Sequence, residues 1–161
     1  MSTIWIGLDP GLSGAIAFFD TTEGTLVVSD MPVMELIRGG KKKNELSAFG
    51  IAQILKPRND ETRRVLLERV GAMPGQGVSS MFAFGRSVGI LEGVLAAYSM
   101  EVTIVTPQAW QKTTGVRGGK DGARLRATQL FPAYAHLFAR KKDDGRADAA
   151  LMAWYGATAL S

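Results

Sequence analysis

Four acidic residues stand where a surface carboxylate is not expected: Asp9, Glu68, Asp144 and Asp148. Glu68 interrupts the apolar run Arg64 to Val70, and a carboxylate inside a buried strand costs several kcal/mol unless it is paired or metal-bound. An edge position, or an ion pair with Arg64 or Arg69, would meet that cost as well as a cation would. Asp9 ends an apolar run that starts at Thr3, just before Pro10-Gly11; Asp-Pro is also an ordinary turn initiator. At 100° per residue, Asp144 and Asp148 lie about 40° apart on one helical face, whereas Asp143 and Asp148 lie about 140° apart. The first pair can therefore share a cation. Asp148 is set among Ala147, Ala149, Ala150, Leu151 and Met152, where the helix turns apolar, while Asp144 could also serve as an N-terminal cap or dipole partner.

If the strands ending at Asp9 and Glu68 are neighbours, a helix packed across them brings all four carboxylates into one volume. Like charges at that range force protonation, unless hard cations with oxygen ligands neutralise them. Two such cations close together activate water and stabilise the leaving oxygen of a phosphodiester. With no cysteine and one histidine, His136, in 161 residues, disulfides, thiolate zinc sites and polyhistidine centres are excluded. A Ser-His-Asp hydrolase is disfavoured, and Mg²⁺ or Mn²⁺ is preferred to zinc.

The net charge is +4, from 19 basic and 15 acidic residues. Residues 112–146 hold nine of the cations (Lys112, Arg117, Lys120, Arg124, Arg126, Arg140, Lys141, Lys142, Arg146) against Asp121, Asp143 and Asp144, or +6, leaving −2 elsewhere. Concentrated positive charge suits a polyanion such as nucleic acid; a solvated helix face accounts for it equally well.

The surrounding pattern indicates three antiparallel strands (3–9, 14–20, 25–31) and a flexible basic connector, 38–44. A helix over 45–56 follows, capped by Asn44. Strand 64–70, a turn-rich loop 71–77 and a helix from 79 or 80 to 98 come next. Strand 102–105 leads to a helix opened by Thr106-Pro107, a helix over 120–130 and a last helix from 143 or 144. Helices between the later strands require parallel crossovers, so the expected fold is α/β: one domain, 1–161, with a mixed five-stranded sheet of three antiparallel then two parallel strands and helices on both faces. Gly85, Gly89 and Gly93 recur every fourth residue, a smooth stripe implying close packing on a partner or within the chain. Trp5, Trp110, Trp154, Phe82, Phe84 and Tyr155 read as core or interface. No basic run precedes an apolar N-terminal stretch, and no segment reads as long enough to span a bilayer; the expectation is a cytoplasmic protein with no membrane partner.

Five segments in order, Gly7-Leu-Asp9-Pro-Gly-Leu-Ser-Gly14, Leu67-Glu68-Arg-Val, Thr106-Pro-Gln-Ala-Trp-Gln-Lys112, Gly119-Lys120-Asp and Asp143-Asp-Gly-Arg-Ala-Asp148-Ala-Ala-Leu, resemble the RuvC family of Holliday-junction resolvases over nearly the whole chain. The resemblance implies a ribonuclease H-like fold and a homodimer that cuts four-way DNA junctions symmetrically with Mg²⁺ during recombination and repair. It implies Asp9, Glu68 and Asp148 as metal ligands, with two ions. The fourth ligand is Asp144, as in phage and plastid-like branches, because Gly145 stands where bacterial members often carry an acid. Lys120 matches a lysine beside the scissile phosphate and Lys112 a DNA-contacting one; Arg117, Lys141, Lys142 and Arg146 extend the basic surface. Bacterial members tend to carry an aromatic wedge after Glu68. Here Met73, Pro74 and Gln76 are the candidate wedge or base readers.

Three rivals are distinguishable. An actin-like or sugar-kinase-like ATPase needs a second lobe and phosphate loop, and the glycine run before Lys120 lacks the residues of a P-loop, so no nucleotide cofactor is expected. A catalytically silent junction binder, and a nuclease of the same fold acting on other branched DNA or an RNA/DNA hybrid, share every feature above.

Overall fold

The chain runs β1 (Ser2–Asp9), β2 (Ala15–Asp20), β3 (Thr25–Asp30), β4 (Val33–Arg38), β5 (Lys41–Leu46), α1 (Ala48–Leu55), β6 (Glu61–Glu68), α2 (Val78–Ala97), β7 (Val102–Val105), α3 (Pro107–Thr114), α4 (Gly119–Leu130) and α5 (Asp144–Ala159). Two 3-10 segments, Pro132–Phe138 and Lys141–Asp143, connect α4 to α5. This computed structural model describes residues 1–161. The main sheet has the order β3-β2-β1-β6-β7, with β1 antiparallel to β2 and parallel to β6, and β6 parallel to β7. It is the expected mixed five-stranded α/β sheet.

Strand β1 is buried from Ile4 to Leu8, as a strand must be when neighbours flank it and helices cover both faces. Its alternation sorts the core. Ile4, Ile6 and Leu8 join Val65, Leu67, Leu91 and Leu95 on the side of α1 and α2. Trp5 joins Leu66, Trp110 and the apolar residues of α5 on the other. Helix α5 lies almost backbone to backbone on β1, because a Cβ on Gly7 would overlap the carbonyl oxygen of Ala149 and crowd the amide of Ala153. Gly156 is pressed as closely against Trp5 and Leu66.

Several sequence expectations are corrected. The connector 38–44 is not flexible coil: β4 and β5 pair antiparallel as a separate two-stranded sheet. Consequently Asn44 is a strand residue, and α1 starts later, where the hydroxyl of Ser47 accepts from the amide of Gly50 at 3.0 Å. Strand β6 begins and ends earlier than 64–70, and Glu68 is its last residue. Helix α2 does reach the length and composition of a bilayer-spanning segment, contrary to the reading above. Even so, Ser87, Leu91 and Leu95 are buried, Leu91 and Leu95 in the core beneath the sheet, and Arg86 pairs with Glu45. Within the chain the glycine stripe of α2 packs on nothing, since a Cβ at Gly85, Gly89 or Gly93 meets no atom within 4 Å.

The α5–β1 contact predicts that Gly7→Ala destabilises the chain by about 3 kcal/mol, as overpacking against backbone should. Gly85→Ala, in open space, should leave stability unchanged or raise it by up to about 1 kcal/mol. Urea unfolding with equal m-values checks both.

Candidate metal centre and cleft

Two residues of alternation separate Asp9 from Gly7 and Glu68 from Leu66, so both carboxylates emerge on the α5 side of the sheet. Leu8 is paired with Leu67 in the parallel register, which makes Asp9 and Glu68 the adjoining residues at the C-terminal ends of neighbouring central strands. Helix α5 crosses above them and contributes Asp144 from its first turn and Asp148 from its second. The four acids act on one another: burial, then Asp148, Glu68 and Asp144 in that order, push Asp9 up from 3.8 to about 8, with Lys120 opposing. Burial, then Glu68 and Asp144, push Asp148 up to about 7. Burial also raises Glu68, partly offset by a hydrogen bond.

That bond comes from Trp110, which donates its indole Nε1–H to Glu68 Oε2 at 2.8 Å. The residue is fully buried on α3, whose start is fixed by Thr106 accepting from the amide of Ala109 and by Pro107 in the first turn. Reading Trp110 as core is correct for its ring and misses its polar edge; an indole buried within a motif is the signal that a partner is needed. Neither Arg64 nor Arg69 pairs with Glu68, the Arg64 guanidinium lying instead over the Trp5 ring at 5.3 Å.

Lys120 Nζ lies 2.8 Å from Asp144 Oδ2. Hydrogen bonding to Asp144, then its charge, hold the ammonium above its ordinary value. Asp143 faces elsewhere. It is 1% exposed and bound by Arg140 through Nε and NH2, which pulls its carboxyl below the usual range. Gly145 could not carry a ligand, because a Cβ there would overlap Ser13 O and crowd Gly14 and Asp9. Asp144 is thereby the acid that this backbone can offer beside Asp9 and Asp148.

No three acids or histidines close on a single point in this conformation. The donor set nonetheless fits a hard divalent cation: every donor is a carboxylate oxygen, three of the four carboxyls are pushed toward protonation, and Lys120 is the single cation acting on them. Asp9, Asp144, Asp148 and Lys120 line one end of a cleft of about 900 Å³, whereas Glu68 lines a separate, smaller pocket with Arg69 and Thr106. The other walls carry Gln76, Val78 and Phe82, then Arg38, Lys43 and Arg86, which sequence reading did not single out.

The remaining predicted residues scatter. Lys112, Arg117, Lys141 and Lys142 are exposed and lie outside the cleft lining, as does Met73, which is 68% exposed. Arg146 is withdrawn from the basic surface, its Nε and NH2 bonded to the two carboxylate oxygens of Asp30 at 2.7 and 2.8 Å. Arg124 is likewise taken by Asp121, and Arg140 by Asp143.

No protein-family model and no curated protein sequence matches the chain. Solved structures do. The fold is similar to that of RuvC from T. thermophilus in complex with Holliday junction substrate, with a TM-score of 0.60 and 11% identity over 98% of this chain and 96% of that one. A second Thermus thermophilus RuvC structure aligns with a TM-score of 0.51 and 14% identity over 96% of this chain and 95% of that one. The chain has the RuvC-type, ribonuclease H-like architecture.

Two outcomes follow from this geometry. Because Asp9 and Asp148 hold protons in the folded state that an unfolded chain releases near 3.8, stability without divalent cations should fall as pH rises from about 4 toward 8. The melting temperature at pH 8 should lie about 3 °C or more below that at pH 5; Asp148→Asn should flatten the slope, and Mg²⁺ should restore stability at pH 8. A cation-free melting temperature that climbs between these values contradicts the buried cluster. Trp110→Phe, which keeps the ring and removes the donor, should weaken divalent-cation affinity by roughly tenfold or more, measured by Mn²⁺ titration calorimetry beside a thermal melt.

Proposed function

We propose that this chain is a divalent-cation-dependent endodeoxyribonuclease that resolves four-way DNA junctions by paired, symmetric phosphodiester hydrolysis, leaving 5′-phosphate and 3′-hydroxyl ends, in recombination and repair. The observation that carries the reading is the gathering of Asp9, Asp144 and Asp148 at the end of one cleft, with Glu68 on the strand next to Asp9 and burial raising the carboxyls of Asp9, Glu68 and Asp148. The similarity to a RuvC bound to Holliday junction substrate supports the choice of a branched substrate.

Asp9, Glu68, Asp144 and Asp148 would hold Mg²⁺, as two ions, with Mn²⁺ as a substitute. When bound, such ions supply an activated water and stabilise the leaving oxygen of a phosphodiester. Trp110 fixes Glu68 in orientation. Lys120, largely exposed apart from its bond to Asp144, extends over the cleft end, where its ammonium stabilises negative charge developing on a phosphate. Gln76, on the wall, can read a base edge. Lys112, Arg117, Lys141 and Lys142 would contact phosphates beyond the cleft, and Met73, at an exposed loop tip, could enter a base step.

Symmetric cleavage needs two copies, and α2 offers the surface for a second one. Gly85, Gly89 and Gly93 form one stripe that nothing in the chain covers, starting beside Val78 and Phe82 at the edge of the cleft. A smooth helix face left bare while the opposite face is buried in the core is a face without a partner.

The test is nicking of a labelled mobile four-way junction beside linear duplex, flap and RNA/DNA hybrid, with and without Mg²⁺. Cleavage should be confined to the junction, require the cation, and fall at least about a thousandfold, or roughly 4 kcal/mol, in folded Asp9→Asn or Asp148→Asn. Sedimentation should give a dimer. Tight binding without nicking in Mg²⁺ or Mn²⁺ identifies a silent binder, and preferential cutting of the hybrid or flap a different substrate.

A further inference from the structure

The β4–β5 hairpin is a second sheet standing apart from the main one. Its base is anchored, with Met31 and Leu46 buried in the core under the sheet. Its tip is a two-residue turn in which Gly39 and Gly40 both take positive φ, 58° and 73°. That turn matches the twist of paired strands. Each strand has six residues, so the arm reaches about 20 Å from its base.

Register sorts the arm's charge. Opposed residues of an antiparallel pair share a face, and the pairs Arg38 with Lys41, Leu36 with Lys43, and Met34 with Glu45 put three cations and one carboxylate on one side. The pairs Ile37 with Lys42 and Glu35 with Asn44 put one cation and one carboxylate on the other, joined at 3.1 Å. The charged residues that line the cleft come from the positive side: Arg38, Lys43 and Glu45 line it, joined near the arm's base by Asn44 and Leu46, while Glu35, Ile37 and Lys42 do not. Lys41, on the same side as Lys43, lies at the tip just beyond the lining. Glu45 lies 3.2 Å from Arg38 and 3.4 Å from Arg86 of α2, a link that holds the arm over the cleft and places a further cation beside it. Lys41 and Lys43 have no carboxylate within reach. Two unpaired ammonium groups on a hairpin too small to be stable alone are a repulsive load, which a polyanion in the cleft relieves.

We infer that this arm grips the phosphate backbone of a duplex DNA arm lying in the cleft, with Arg38, Lys41, Lys43 and Arg86 as phosphate contacts opposite the carboxylate end. The inference rests on the nuclease reading of the cleft and adds to it the element that holds the substrate. Phosphate contacts of this kind position the duplex and carry no sequence information. The arm therefore sets affinity and salt dependence, not the chemical step.

The experiment measures junction binding by fluorescence anisotropy between 50 and 300 mM salt, about the range over which counterion release is read, with Ca²⁺ replacing Mg²⁺, for the unaltered protein, Lys41→Gln/Lys43→Gln and Lys42→Gln. Each lost phosphate contact lowers the slope of log K against log salt by about 0.9, so the double variant should lose about 1.8. Lys42→Gln, on the outer face, should match the unaltered protein. In Mg²⁺ the double variant should raise KM and keep kcat within about twofold, the pattern of lost uniform binding. An unchanged slope in the double variant, or an equal loss in Lys42→Gln, overturns the arm and leaves the proposed activity standing. An unaltered protein that binds no nucleic acid overturns both. All three positions are exposed, and matching thermal melts establish that the variants are folded.

Discussion

Four carboxylates gathered where two central strands end under one helix, three of them pushed toward protonation by burial, are the constraint on which this molecule turns. Left to themselves they would separate or take up protons. They stay together because their backbones are held by contacts that do not involve them. Gly7 under Ala149 and Ala153, Gly145 under Ser13, and Gly156 against Trp5 and Leu66 seat α5 in close contact with the sheet, and lifting it would forfeit that packing. Core packing and like-charge repulsion are thus opposed at one place, and the packing wins.

A second set of charges fixes the start of α5. Arg140 holds the buried carboxylate of Asp143, and Arg146, in the first turn of the helix, binds Asp30 at the end of β3. Asp143 and Asp144 are neighbours in sequence with opposite situations. One is neutralised by guanidinium groups and sits below its ordinary pKa; the other acts on Asp9 and Asp148 and is bonded to a single lysine. The helical angle distinguishes them at sequence level, and the ion pairs give the reason: Asp143 anchors the helix so that Asp144 can remain directed into the cleft.

What was legible in the sequence depended on local signals. The buried strand ending at Asp9-Pro10-Gly11 and the Thr106-Pro107 helix start are written in consecutive residues, and the structure has both. The acidic cluster was legible because a carboxylate in an apolar setting is anomalous at any single position. The hairpin was missed because Lys41-Lys42-Lys43-Asn44 shows no hydrophobic alternation; its strand exists through the Gly39-Gly40 turn and the anchoring of Met31 and Leu46, the second a contact between distant parts of the chain. Trp110 was assigned by its apolar bulk, while its partner Glu68 lies 42 residues away. Arg146 was counted as surface charge because its partner, Asp30, is 116 residues distant.

Charge makes the same point at the scale of the whole surface. Counted along the chain, positive charge is concentrated in residues 112–146 and the rest is slightly acidic. Counted in space, Lys120, Arg124 and Arg140 are held by the segment's own Asp144, Asp121 and Asp143, and Arg146 by the distant Asp30; Lys112, Arg117, Lys141 and Lys142 stay exposed but lie outside the cleft lining. The cleft draws its positive wall instead from Arg38, Lys43 and Arg86, all in the portion that sums negative. A linear count weights each charge equally, whereas a polyanion responds to the net charge facing it: Arg38 and Arg86 share the single carboxylate of Glu45, and Lys43 has none. Strand register decides which charges face it: sliding β5 by one residue against β4 would turn Lys41 and Lys43 outward and bring Lys42 in. The polarity of the cleft, acidic at the sheet and basic at the arm, is therefore a consequence of pairing geometry and not of composition.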